Sequence, residues 1–137
     1  MSCIFIGMRF SIVLASAALI AAPAAARSPL EGLWTSPKGN VTVRIAPCGP
    51  SLCGQVVEAS AKARRKAAKQ GVARLVGEPL LNNIQPAGAG KWKGRVYVPR
   101  LKSHVGGNIT MQGRDQMQVS GCFAGVVCRS AVYRRVS

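Results

Sequence analysis

The sequence predicts a mostly β domain, either a sandwich or an antiparallel meander barrel of about eight strands. Three observations predict it. Short apolar runs alternate with polar residues, Gly, Pro and Asn punctuate them at close intervals, and one segment alone is rich in helix formers.

Val41, Val43 and Ile45 alternate with Thr42 and Arg44, the period of a half-buried strand, and Pro47 and Gly49-Pro50 force a turn after them. Gln55 to Glu58 and Leu80 to Ile84 read as two further short strands. Trp92, Val96 and Val98 share one face of a strand that Pro99 ends, because proline cannot donate to a ladder. Val105, Ile109 and Met111 share a face of the next, and Gly113-Arg114-Asp115 supplies a turn. Met117 and Val119 then alternate with glutamines, Phe123 to Val127 reads as a hairpin with its tip at Ala124-Gly125, and Arg129 to Val136 closes the chain. The exception is Ser60 to Gln70, a helix with an N-cap serine whose apolar residues are all alanine. With no bulky stripe to bury, it reads as a solvated helix or loop, and as a candidate anion-binding prong through Lys62, Arg64, Arg65, Lys66 and Lys69.

The N-terminal region, 1–26, has the form of a secretory signal. Arg9 precedes a run from Phe10 to Ala22 of apolar residues and two serines, too short for the roughly 20 residues of a membrane span. Pro23 ends it, and cleavage after Ala26 would leave alanine at both −1 and −3. The expected mature domain is therefore 27–137, periplasmic or secreted and soluble after cleavage. It keeps 18 of the 19 Lys and Arg residues and all four acids, a formal charge of +14. Such a surplus favours polyanionic partners, and beyond an inner membrane these are acidic lipid, lipopolysaccharide or wall polymer rather than nucleic acid.

Cysteine use agrees with export. Cys3 leaves with the signal, and Cys48, Cys53, Cys122 and Cys128 remain as an even set that reads as two disulfides. The spacings favour the local pairs Cys48–Cys53 and Cys122–Cys128, each worth about 2 kcal/mol in the loop-closure picture. A four-thiolate zinc site fits these spacings poorly, and neither metal nor cofactor is expected.

Gly32-Leu33-Trp34, then Ile45-Ala46-Pro47-Cys48-Gly49 with Leu52-Cys53-Gly54, Trp92 through Pro99, and Gly121-Cys122 to Cys128 occur in an order that resembles a family of small exported bacterial proteins, domain of unknown function 2147. The resemblance implies a compact lipocalin-like barrel and no established activity. Its motif residues here are Trp34, Trp92, Tyr97, Pro99 and Arg135. The chain departs from the family's Tyr-Asp-Pro at Val98, from its Gly-Lys-x-Tyr at Lys102 and Val105, and from its closing Trp-x-Arg at Tyr133. If the family shares a polar site near that strand and turn, only Tyr97 and Arg135 remain to serve it.

The sequence holds no catalytic constellation. His104 is the one histidine and reads as a solvent-facing loop residue, so a nucleophilic triad lacks its base. Four scattered acids single out no glycosidase pair, and the glycine pairs lack the downstream helix of a phosphate loop. The expected function is a non-enzymatic binding module of the envelope, holding a small apolar ligand in a barrel or an anionic polymer or lipid on a basic surface. The alternative is a protein–protein module, such as an exported inhibitor or an envelope stress or assembly accessory.

Overall fold

The computed structural model describes residues 27–124 and 126–136, so the expected signal segment with its Ala26 cleavage position, and Gly125, lie outside the described residues. Eight antiparallel strands follow one another around a closed barrel, β1 Gly32–Thr35, β2 Val41–Cys48, β3 Ser51–Ala59, β4 Pro79–Gly88, β5 Lys91–Val98, β6 Ser103–Met111, β7 Gln116–Phe123 and β8 Val127–Arg135. One helix, α1 Ala61–Lys69, joins β3 to β4, and a 3-10 turn, Pro99–Leu101, joins β5 to β6. The meander barrel expected from the alternation is the architecture found, and the sandwich is excluded. Strand lengths exceed the expectation, because Gln55–Glu58 is only the second half of β3 and Leu80–Ile84 only the first half of β4. β1, too short to show a period, has no signature of its own. Pro47 lies within β2, so the turn is left to Gly49-Pro50.

The two ends of the barrel differ. At one end Leu30, ahead of β1, plugs the interior over Trp34, Ile45, Leu81, Ile84, Trp92, Ile109 and Met117. Both tryptophans are therefore core residues, together with the aliphatic side chains expected there. The plug is locked by Arg135. Its guanidinium lies 4.3 Å from the centroid of the Trp34 ring and donates to the main-chain carbonyls of Arg114 (3.0 Å), Glu31 (2.9 Å) and Pro29. Trp34 Nε1 in turn donates to the Leu30 carbonyl at 2.8 Å, which satisfies the buried indole.

Glycine permits the tight coiling of β4 to β7. A Cβ on Gly107 would stand 2.5 Å from Cγ2 of Val96, so the valine fills the space a side chain would need. Gly121 receives Val105 and Gly94 receives Ile84 in the same manner. The glycines step from strand to strand and let each branched side chain sink into its neighbour.

At the opposite end α1 covers one side of the barrel. Ser60 caps it, its hydroxyl accepting from the Ala63 amide at 3.1 Å. The helix is not simply solvated, as the lack of a bulky stripe suggested. Ala63 and Ala67 are buried against Val43, Val56, Val72 and Leu75, since alanines four apart give a face flat enough for close approach to a sheet.

Replacing Arg135 should open the barrel seam. Arg135→Met is expected to cost about 3 kcal/mol in urea denaturation, because it removes a stacked cation and three charge-assisted bonds. Arg135→Lys should recover little of this, since an ammonium cannot reproduce the planar fork.

A candidate ligand cavity at the open end

Antiparallel alternation makes one face of each strand interior. On β5 that face carries Trp92, Val96 and Val98; on β6, Val105 and Ile109; on β7, Met117, Val119 and Phe123; and on β8, Val127, Arg129, Ala131 and Tyr133. Near the plug these residues are large and fill the barrel. Toward the 3-10 turn and the β7–β8 hairpin they are small or stand apart. A cavity of about 610 Å3 remains there, lined mainly by Val96, Val98, Leu101, Val105, Val119, Phe123, Val127, Ala131 and Tyr133. An eight-stranded barrel is just wide enough to be filled by side chains or to hold one small ligand, and this one does each at a different end.

Two cations, Arg100 and Arg129, also line the cavity, with Ser130 between strand neighbours. Arg100 is shared with an adjoining notch between the end of α1 and the 3-10 turn, where Lys69, Gly71 and Lys102 stand. Lys102 adopts φ 48°, the left-handed region in which glycine is the easier residue. The lining offers the hydroxyl of Tyr133 but no carboxylate, imidazole or thiol. Among the described residues no group of three or more His, Cys, Asp or Glu side chains is placed to hold a metal ion.

The cysteines bond as their spacing suggests, Cys48 with Cys53 and Cys122 with Cys128. The first clamps the β2–β3 hairpin at the plugged end. The second clamps the hairpin that overhangs the cavity, where Phe123, Val126 and Val127 are exposed. Two disulfides in so small a domain mark an oxidising, exported location. Among the described residues no helix is long and apolar enough to cross a membrane.

The other residues singled out by sequence fall in several places. Lys62, Arg64, Arg65, Lys66 and Lys69 are all exposed on α1, at the open end. Tyr97 and Arg135, the pair left over from the family pattern, are not brought together. Arg135 belongs to the plugged end, whereas Tyr97 sits near the open end on the opposite side of β5 from Val96 and Val98. Pro99 starts the 3-10 turn. His104 is not a loop residue. It is half-buried on β6, its ring tilted 54° to that of Tyr97 at 5.1 Å, and Asn82 Nδ2 donates to its Nε2 at 2.9 Å. The cavity itself was not foreseen, although Val98, Val105 and Tyr133, three of the departures from the family pattern, all line it.

An eight-stranded meander plugged at one end and hollow at the other defines a lipocalin-like barrel. The chain belongs to the family described as "Uncharacterized protein conserved in bacteria (DUF2147)", which matches residues 32–135. Among solved structures it is similar to protein HP1028 from the human pathogen Helicobacter pylori, described as belonging to the lipocalin family. That likeness has a TM-score of 0.58 at 11% identity, over 79% of this chain and 83% of the other, and is one of fold. No curated protein matches the chain.

Tyr133 lines the cavity and touches both core clusters, and burial pushes its phenol above the ordinary value of 10.0. A raised phenol favours the folded state fully below that value and ceases to do so as pH climbs through the raised one. Thermal stability should therefore fall above about pH 10, and Tyr133→Phe should fall less steeply between pH 9 and 11 in paired melting curves.

Proposed function

We propose that the protein is a non-enzymatic binding module exported to the cell envelope, freed by cleavage after Ala26, that holds a small apolar ligand in its barrel. The observation that carries this reading is the cavity of about 610 Å3 with apolar walls. It falls within the roughly 300–1,000 Å3 usual for small-molecule sites. The Tyr133 hydroxyl has no carboxylate or imidazole beside it in the lining, which favours holding over turnover. A fluorescent naphthylamine probe should bind the purified protein with saturation. Ala131→Trp, which projects an indole into the cavity, should weaken binding at least several-fold while leaving the far-ultraviolet circular dichroism β-rich. Unchanged binding by that variant would move the site elsewhere and refute the reading.

A second reading is favoured by the five exposed cations of α1. In it the basic surface rests on anionic lipid, lipopolysaccharide or wall polymer. Each such cation near an acidic membrane is worth about 1 kcal/mol, screened over roughly 8 Å at physiological salt. Replacing Lys62, Arg64, Arg65, Lys66 and Lys69 together with Gln should abolish low-salt co-sedimentation with acidic vesicles. Undiminished co-sedimentation would assign the attraction to the overall charge.

A further inference from the structure

We propose that the occupant of the cavity is an amphiphile with an anionic head, its chain against Val96, Val105 and Val119 and its head between Arg100 and Arg129. This rests on the barrel-ligand reading above and adds the chemistry of the ligand.

The register sets the argument. Gly121 pairs with Arg129 and Val119 with Ala131, so Arg129 points to the same inward face as Ala131. An arginine on the inner face of a small barrel is a poor filler for apolar packing, and here it stands at the rim, where its head stays hydrated. Neither Arg129 nor Arg100 has an ion-pair partner among the described residues. The ion pair found there, Arg135 with Asp115, lies at the plugged end. No carboxylate lines the cavity or the adjoining notch.

Positive charge is also continuous outward. Arg100 belongs to both spaces, and Lys69 and Lys102 carry the notch to the end of α1. Lys102 keeps a side chain in a left-handed backbone conformation, and its Cε would lie 3.3 Å from a Cβ on Gly71, so the glycine makes room for the lysine stem. A wholly neutral ligand would leave these cations facing water at the mouth of an apolar cavity. A carboxylate or phosphate head would be met by a guanidinium on two sides while its chain left water for the barrel.

Displacement of the naphthylamine probe by dodecanoate and by 1-dodecanol, which share a chain and differ in head, tests the assignment. At low salt dodecanoate should bind about tenfold tighter, the effect of one charge-assisted bond. Replacing both Arg100 and Arg129 with Gln should bring dodecanoate to the level of dodecanol and leave dodecanol unchanged. The α1 variant with five Gln should retain most of the preference. Equal affinity of the unaltered protein for the two compounds would overturn the anionic head and leave the cavity reading standing. A preference that survives the double Gln replacement, or vanishes in the α1 variant, would place the anion elsewhere and overturn it too. Failure of the probe and both competitors to bind would remove the barrel-ligand reading and this inference with it.

Discussion

The stacking of Arg135 on Trp34 is the contact on which the rest of the barrel depends. The first and last strands share only two residue pairs, Trp34 with Arg135 and Thr35 with Arg134. A seam that short gives little ladder, yet without it β1 and β8 would both expose a free edge. The arginine makes up the deficit from its side chain. It reaches the carbonyls of Pro29 and Glu31 ahead of β1 and that of Arg114 in the β6–β7 turn, tying two parts of the chain to the last strand. The Arg135 amide also donates to Asp115, and the Val136 amide to Leu33. Closure and plugging are thus one event, and they decide which end of the barrel is left free to be hollow.

The hollow end needs other means of support. α1 supplies one wall by laying Ala63 and Ala67 on Val43 and Val56. Opposite, no helix among the described residues covers β7 and β8, and their hairpin carries the Cys122–Cys128 bridge. A covalent clamp suits that position, because side chains that line a cavity pack on one side only and contribute less than core residues do. Phe123 and Val127 pair across the strands beside the bridge, and they are held at the rim with little core beneath them. Among the described residues, rigidity at this end comes from the disulfide and the glycine-nested strands.

The fold was largely legible in the sequence because period-2 alternation is a direct consequence of strand geometry. Val41 to Ile45, Trp92 to Val98 and Met117 to Val119 each display it over several residues. β1 escaped notice because four residues cannot show a period, and its pairing depends on Arg135, a hundred residues away. The burial of α1 escaped it because hydrophobic patterning weighs bulk, whereas alanines earn contact by letting backbones come close. The strand position of His104 was hidden by Gly106-Gly107 just beyond it, although Gly107 serves here as the receptacle for Val96. The cavity was invisible for a more general reason. An empty space depends on which side chains fail to meet, and no local pattern records that.

The placement of charge follows from the same division into a plugged and a hollow end. Three of the four acids illustrate it. Glu31 accepts from the Ser28 amide, Asp115 pairs with Arg135, and Glu78 lies in the connection that leads into β4, so none of them faces the cavity. The cations of α1, the 3-10 turn and β8 are left to act together at the open end. An overall surplus would by itself be spread over the surface and screened over roughly 8 Å at physiological salt. A cation on the inward side of a barrel strand is different, because the apolar wall beside it excludes water and lowers the local dielectric once a ligand closes the mouth. Arg129 occupies that position through register alone. A shift of one residue in the β7–β8 pairing would turn it outward and put Ser130 in its place. The Cys122–Cys128 bridge, which pairs directly across the same two strands, forbids such a shift. The disulfide therefore sets the chemistry of the mouth as well as its shape.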